Sequence, residues 1–411
     1  MTRVTAMRDV DLTDLDLFAN GFPHDVFALH RDVAPVYWHE PTAHTPDGEG
    51  FWSVSTHAEA VAVMRDPRTY SSETGGTRPH GGTILPDSEI AGKILNMMDD
   101  PRHQRVRALV NRGVTPRTIG RLEHDLQART RRLLDAFAAT GGGDFVAGVA
   151  GELPMQAICL LLGVPESDRH QLFEWVESTF DFREGDAFAY DARVAESGLK
   201  MFEYGAELIA RKRREPADDM LSVVVHATLP GEDPPSLTDD ELRLFFSLLF
   251  AAGADTTRNA VAGGLLALIT HPPQLAAVRS GAVPLERVVD EIVRWTSPAA
   301  YNRRTATTAT RLGDNDIAAG DKVVFWEASA NRDERVFTDS MSFDVARDPN
   351  PHLGFGHGVH FCLGASLARL ELRIVIGEVL SRFDRIELAG PTEWTRSNKH
   401  TGIRKLPVRV T

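Results

Sequence analysis

One cysteine-containing segment constrains this chain more than any other feature. Residues 355–364 read Phe-Gly-His-Gly-Val-His-Phe-Cys-Leu-Gly and stand directly before a helical pattern over residues 365–372. The three glycines of this segment let the backbone approach another group closely. A helix that begins after Cys362 offers backbone N–H groups and the positive end of a dipole, which favour a thiolate. These are the requirements of a sulfur atom that binds a metal.

Three other interpretations compete for the same segment. A lone cysteine is most often a buried and inert side chain. A dinucleotide-binding fingerprint needs a third glycine, and Val359 stands at that position after Gly354 and Gly356. A zinc site has suitable residue types nearby, although their spacing is unusual for zinc. Those residues are His352, His357, His360 and Cys362.

A second feature is an apolar segment that contains an acid and two hydroxyls. Residues 244–257 read Leu-Phe-Phe-Ser-Leu-Leu-Phe-Ala-Ala-Gly-Ala-Asp-Thr-Thr. Such an ending usually marks a helix cap or a turn. Here the helical periodicity continues to Ile269, so Asp255 and Thr256 are predicted inside a long helix. The small residues before them allow close packing against a flat ligand, and threonine hydroxyls can loosen the helical hydrogen bonds.

Two pairs of charged residues are ambiguous when each is taken alone. Glu291 and Arg294 lie three residues apart on one helical face, where surface ion pairs are common and contribute little. His103 and Arg107 lie four residues apart and most simply form a solvated basic face. Because both pairs occur together with the cysteine segment, in this order along the chain, a functional role is favoured over ordinary surface charges.

Composition excludes several classes of protein. Lys and Arg total 45 and Asp and Glu total 58, and the resulting net charge of −13 disfavours nucleic acid and anionic lipid as partners. The two cysteines, Cys159 and Cys362, exclude a disulfide scaffold and indicate a reduced, cytoplasmic setting. The charged N-terminus does not resemble a signal peptide. The longest apolar run, residues 244–254, is far shorter than the roughly 20 residues of a membrane span, so no membrane anchor is expected.

The pattern along the chain predicts a mainly α fold with a smaller β portion, in a single domain over residues 1–411. The helical body is expected at about 100–297 and the β-rich portion at about 35–70 and 298–411. Residues 51–56 are predicted to form an edge strand that leads into a short helix. Residues 74–83 contain four glycines and one proline, which is typical of a mobile loop. Such a loop either gates a site or is a plain surface connection.

Taken together, these residues resemble the cytochrome P450 monooxygenases, the haem-thiolate family, from about residue 11 to the C-terminus. The cysteine segment matches the family signature Phe-Gly-x-Gly-x-His-x-Cys-x-Gly, which implies that Cys362 is the axial ligand of haem iron. Residues 252–257 match the oxygen-activating helix, which implies that Asp255 relays protons and Thr256 holds a water. Glu291 and Arg294 match the family's Glu-x-x-Arg pair, with Arg347 as the third member.

The same resemblance implies a set of residues around haem b (iron protoporphyrin IX). Ala252, Gly253, Phe355, Gly356 and Gly364 would contact the cofactor. The propionate groups would be held by His103, Arg107, Arg304 and His360, although the neighbouring Arg303 could take the place of Arg304.

Finer matches are similar to the actinobacterial enzymes that hydroxylate sterols, branched lipids and terpenoids. They occur at residues 51–55, 256–259, 304–306, 329–333 and 350–355. A lipophilic substrate would then contact a wall of mostly apolar residues. We expect Ile84, Leu85, Phe180, Phe182, Phe188, Phe250, Ala254, Ala299 and Ala300 in that wall.

The resemblance also implies the partners of the reaction. Dioxygen is the second substrate, and electrons from NAD(P)H would arrive through a separate ferredoxin and ferredoxin reductase, since no reductase domain is expected in the chain. A monomer is expected. Two alternatives stay open: a tailoring enzyme that oxidises a polyketide or peptide intermediate of secondary metabolism, and a non-catalytic haem-binding sensor or carrier.

Overall fold

The computed structural model describes residues 6–74, 78–180, 192–233 and 235–411. Most of the helices fall between residues 102 and 296, as the periodicity predicts. The helices are α1 His24–Val33, α2 His57–Arg65, α3 Arg102–Val110, α4 Pro116–Ala139, α5 Glu152–Leu162, α6 Arg169–Phe180, α7 Ala192–Arg214, α8 Met220–Val225, α9 Asp239–Thr270, α10 Pro272–Arg279, α11 Leu285–Thr296, α12 Glu327–Ala330 and α13 Ala365–Arg382.

Apart from one short strand at Gly142–Asp144, the strands lie before and after this helical body. They are β1 Val36–His39, β2 Phe51–Val54, β3 Tyr70–Ser71, β4 Gly142–Asp144, β5 Asn302–Ala306, β6 Thr310–Leu312, β7 Asn315–Ile317, β8 Lys322–Phe325, β9 Ile386–Leu388, β10 Glu393–Trp394, β11 Ile403–Lys405 and β12 Pro407–Val410. The largest sheet has the order β1-β2-β8-β5-β3, in which β2 and β8 pair in parallel and the other neighbours are antiparallel.

The prediction that residues 51–56 form an edge strand is wrong. Strand β2 is internal because β1 covers one side of it and β8 covers the other. Ser53 gives the alternating polar signal, yet it is fully buried and its Oγ accepts a hydrogen bond of 2.9 Å from the indole N–H of Trp326. A buried serine whose hydroxyl has a hydrogen-bond partner therefore produces the same alternating pattern as a strand with one exposed face. Helix α2 follows the strand, as expected.

Helix α9 is the central element of the helical body and packs against α5, α7, α11 and α13. It begins with a capping box, in which the Thr238 hydroxyl accepts from the Glu241 N–H and the Glu241 carboxylate accepts from the Thr238 N–H. Its span of Asp239–Thr270 places Asp255 and Thr256 well inside a helix, as predicted. Helix α13 packs on α4, α9 and α11, so this C-terminal helix belongs to the helical body rather than to the β portion.

Within the described residues, no single helix is long and apolar enough to cross a membrane. Helices α9 and α10 meet the length and composition requirements only when they are taken together, and the chain bends by 105° between them.

Candidate active site

A cavity of about 340 Å³ lies between α9 and the segment that precedes α13. Ala252, Gly253 and Thr256 of α9 line one wall, and Cys362 with its neighbours lines another. Residues from α3 and β5 also reach it. The cavity thus brings together sequence features that are far apart along the chain.

Hydrogen bonding and two glycines shape the cysteine segment. The N–H of Cys362 donates to the carbonyl oxygen of Phe355 at 2.8 Å, which closes the segment into a loop. Gly356 and Gly358 have φ angles of +69° and +70°, in the left-handed region that favours glycine. A Cβ atom on Gly358 would lie 2.6 Å from the carbonyl oxygen of Met64, so this position has no room for a side chain.

The thiol of Cys362 faces the cavity and is exposed to it. Burial raises the pKa of Cys362 above its ordinary value, although the N–H of Gly364 and the charges of Arg107 and Arg369 act in the opposite direction. A metal cation is the group that deprotonates such a thiol outright. The loop therefore presents a sulfur ligand to the cavity.

Four nitrogen-bearing side chains converge at one end of the cavity. The rings of His103 and His360 lie 4.2 Å apart, centroid to centroid, and Arg107 donates to the carbonyl oxygen of Phe361. Burial and the nearby charge of Arg304 lower the pKa of His360 to about 2, so this ring is neutral. Its Nε2 lies 3.1 Å from the hydroxyl of Ser72.

The two neighbouring arginines of β5 point in opposite directions. Arg304 lines the cavity, and burial lowers its pKa to about 10. Arg303 points away and pairs with Asp87 at 2.7 Å. Successive side chains of a strand alternate between its two faces, which explains the difference.

Thr256 and Asp255 occupy different environments in α9. The Thr256 hydroxyl lines the cavity and donates to the carbonyl oxygen of Ala252 at 2.8 Å. Asp255 does not line the cavity; its carboxylate accepts hydrogen bonds from Arg258 at 2.8 Å and Asn259 at 3.2 Å. Burial acts to raise the pKa of Asp255, but a hydrogen bond from His400 and the charge of Arg258 outweigh it and leave the pKa below its ordinary value.

The Glu291 and Arg294 side chains are fully buried and form a bidentate pair with two N···O distances of 2.7 Å. The guanidinium of Arg294 also donates to the carbonyl oxygens of Asn331, Ser340 and Ser342. Arg347 lies 3.3 Å from the same carboxylate. The three residues therefore fasten α11 to the chain before the cysteine loop.

Most of the expected wall residues do not reach the cavity. Ala299 lines it, whereas Leu85, Phe250, Ala254 and Ala300 are buried in apolar clusters. The carbonyl of Ile84 accepts from Arg303, and its side chain is not part of the cavity wall. Phe182, Phe188 and the side chain of Phe180 lie outside the described residues.

The apolar wall instead uses residues that sequence reasoning missed. They are Leu95, Val114, Ile158, Leu161, Leu248 and Leu249. Positions 248, 252, 256 and 260 share one face of α9, because residues four apart are neighbours on a helix. Phe250 and Ala254 each lie two residues after a position of this face, so they point away from the cavity and into the core. The spacing from Thr256 could have identified Leu248.

The zinc alternative fails on geometry. His352 pairs with Asp290, His357 accepts from Arg65 and His360 contacts Ser72, so the three rings are engaged in different places. Among the residues that the structure describes, no group of three or more His, Cys, Asp or Glu side chains could hold a metal ion. Cys362 thus stands without the partners that zinc requires.

Comparison with known proteins identifies the class. Residues 284–410 match the family Cytochrome P450. A Mycobacterium tuberculosis protein named cytochrome P450 126 is 60% identical over 412 residues, covering 100% of this chain and 99% of the relative. The chain therefore belongs to the cytochrome P450 family, and it is an oxygen-incorporating oxidoreductase that uses haem.

Two further proteins extend the comparison. The steroid C26-monooxygenase of M. tuberculosis is 35% identical over 407 residues, covering 98% of this chain and 92% of the relative. The structure of a Mycobacterium marinum cytochrome P450 in complex with pseudoionone aligns with a TM-score of 0.89 and 33% identity. That alignment covers 99% of this chain and 100% of the other.

The cavity fits a haem group. Neither Arg107 nor Arg304 forms an ion pair with a carboxylate within the described part of the chain, and the buried Nε2 of His103 has no hydrogen-bond partner there. The buried Arg304, the partly buried Arg107 and the unpartnered His103 nitrogen suit an anionic partner, which the two propionates would supply. Cys362 would ligate the iron, and the small residues Ala252 and Gly253 leave space for a flat ring.

Proposed function

We propose that this monooxygenase inserts one oxygen atom of dioxygen into a lipophilic substrate of the steroid, sterol or terpenoid class. The observation that carries the proposal is the apolar wall of the cavity above the cysteine loop. Leu248 and Leu249 of α9 and Ile158 and Leu161 of α5 line this wall. Such a surface favours substrates with large apolar areas. The names of the relatives, one a steroid monooxygenase and one a complex with pseudoionone, support the same class.

The residues around the cofactor have separate tasks in this proposal. Haem, when bound, supplies the oxygen-activating redox chemistry. Cys362 would hold it from one side, and Arg107, Arg304 and His103 would neutralise and bind its propionates. Thr256 would hold a water at the cavity wall, and Asp255 would pass protons toward that water.

Electrons are proposed to come from NAD(P)H through a ferredoxin and its reductase. The outer side of the cysteine loop offers a surface for such a donor, because Val359 and Phe361 are exposed there and Arg65 donates to His357 at 2.8 Å. A basic side chain beside exposed apolar residues suits a small acidic protein. We also propose a monomer in a cytoplasmic setting, with which two unpaired cysteines are consistent.

An optical titration of the purified ferric protein tests the substrate class. The panel consists of a sterol, a smaller steroid, a branched fatty acid and a monoterpene alcohol, and a carbon monoxide difference spectrum verifies the thiolate ligand. A low-spin to high-spin shift with the sterol, the steroid or the terpenoid supports the proposal. No shift with any compound, while the thiolate spectrum is retained, favours a tailoring enzyme of secondary metabolism.

Thr256→Ala tests the assignment of the cavity hydroxyl. We expect the variant to consume NAD(P)H at a rate near that of the wild type while forming several-fold less product, because the water at the wall loses its hydrogen-bond partner. The measurement is the ratio of product formed to NAD(P)H consumed. A ratio equal to that of the wild type would overturn the role of Thr256.

A further inference from the structure

Asp255 contacts a histidine from a distant part of the chain. Nδ1 of His400 lies 3.2 Å from Oδ2 of Asp255, and His400 stands between strands β10 and β11 near the C-terminus. The Asp255 side chain is 5% exposed, whereas that of His400 is 20% exposed. Since neither lines the cavity, the contact connects the buried carboxylate to water by a route separate from the substrate space.

The chain around His400 is held firmly in place. His400 forms a β-bridge with Ala299, and the N–H of Thr401 donates to the carbonyl oxygen of Pro298 at 3.0 Å. The N–H of Ala300 donates to the carbonyl oxygen of Lys399 at 2.9 Å. The position of the imidazole against α9 therefore follows from backbone hydrogen bonds on both sides of it.

Of the three side chains that contact Asp255 in the described residues, only that of His400 is an imidazole, which can donate a proton from one ring nitrogen and accept one at the other. Arg258 stays protonated, and the amide of Asn259 does not titrate. An imidazole changes its protonation state between about pH 5 and 8. A proton that reaches Asp255 through its contacts must pass through this ring.

We propose that His400 delivers protons from solvent to Asp255 during turnover; this rests on the proposed role of Asp255 as the proton donor of the cavity. The Nδ1–H bond of the imidazolium breaks and an O–H bond forms at Oδ2, which leaves a neutral imidazole and a neutral carboxylic acid. The imidazole regains its proton from water through its exposed surface, and no electron is transferred.

Protonation also releases the carboxyl group. Arg258 and His400 are the charged groups that face Asp255, and both bind its anionic form more strongly than its neutral form. A neutral Asp255 is held less tightly, so it can turn toward Thr256, the next residue along α9. Proton uptake and movement toward the cavity are thus coupled in one step.

The test compares His400→Asn, Asp255→Asn and the matched control His226→Asn. Asparagine keeps an N–H donor near the place of Nδ1 but cannot carry a proton. We expect product formation by His400→Asn to fall about tenfold with a larger solvent deuterium isotope effect. The control, which removes an exposed imidazole that contacts the backbone carbonyl oxygen of Lys212, should stay at the wild-type rate. Spin-state titrations and melting temperatures verify that the cavity and the fold are intact.

A second measurement does not depend on turnover. In protein labelled with ¹³C-aspartate, infrared titration reports the pKa of Asp255, and Asp255→Asn identifies its band. We expect the pKa to rise in His400→Asn, because the contribution of His400 that lowers it is reduced. Wild-type product formation by His400→Asn, or an unmoved carboxyl pKa, overturns the role of His400. Wild-type turnover by Asp255→Asn instead overturns the proposed relay itself.

Discussion

The side chains of Arg303 and Arg304 contact different groups although the two residues are adjacent in β5. Arg304 turns its charge into the haem cavity and lies over the ring of Phe325 at 5.4 Å. Arg303 binds Asp87 and the carbonyl oxygens of residues 84–86 on the other face of the strand. The sequence leaves the choice between the two open, because it shows the pair of arginines without the phase of the strand. The phase of the strand places Arg304, and not Arg303, at the cavity.

Arg304→Ala should weaken haem retention. A charge-assisted hydrogen bond contributes about 1.5–3 kcal/mol, which corresponds to about a 10- to 150-fold increase in the haem dissociation constant. Transfer of haem to apomyoglobin measures this constant. The matched variant Arg303→Ala should retain haem as the wild type does, since its side chain does not reach the cavity. Equal retention by Arg304→Ala and the wild type would contradict the placement of the propionate.

At the scale of the element, α9 and α11 differ in how much the sequence predicts. Periodicity through Asp255 and Thr256 predicts the interior position of both residues in α9, and the structure agrees. Periodicity does not predict which face of α9 meets the cavity, and Phe250, which we expect in the cavity wall, packs in the apolar core. A face is defined by the helices packed around it, and these come from distant parts of the chain.

In helix α11, too, the local sequence does not predict how side chains are buried. The spacing of Glu291 and Arg294 is that of an ordinary surface pair, yet both side chains are completely buried. Their burial depends on chain segments near residues 331 and 340–344, whose carbonyl and N–H groups complete the hydrogen bonds. Local spacing carries no information about those partners. Only the resemblance to the family motif identifies Glu291 and Arg294 as a structural pair, because their spacing alone does not indicate burial.

Arg294→Leu should destabilise the protein strongly. The change leaves the Glu291 carboxylate buried with a single cation nearby, and removal of one member of a buried pair costs about 3–5 kcal/mol. The free energy of unfolding in urea, followed by circular dichroism, measures the effect. The control Arg287→Leu removes an exposed pair with Asp348 and should change stability by less than about 1 kcal/mol. Similar losses for both variants would show that the Glu291 network contributes little.

At the scale of the whole molecule, one carboxylate ties a loop beside the cavity to the main sheet. Asp87 pairs with Arg78 at 2.7 Å and with Arg303 of β5 at 2.7 Å, and Lys322 of β8 lies 3.9 Å away. Burial acts to raise the pKa of Asp87, but the bonds from Arg78 and Arg303 outweigh it and keep the pKa below its ordinary value. Thr83, in the same loop, lines the cavity. The charges at Asp87 therefore link the sheet to the cavity wall.

Asp87→Asn should let this loop open more easily. The substitution keeps the shape of the side chain, but it removes the charge that faces Arg303, whose side chain is fully buried. A weaker tether raises both the association and the dissociation rates of substrate, so the rates change more than the affinity does. Stopped-flow measurement of the spin-state change, with the best ligand of the optical panel, gives both rates. Asp314→Asn, which alters a fully exposed carboxylate, is the control. Unchanged rates in Asp87→Asn would mean that substrate enters by a path that this loop does not limit.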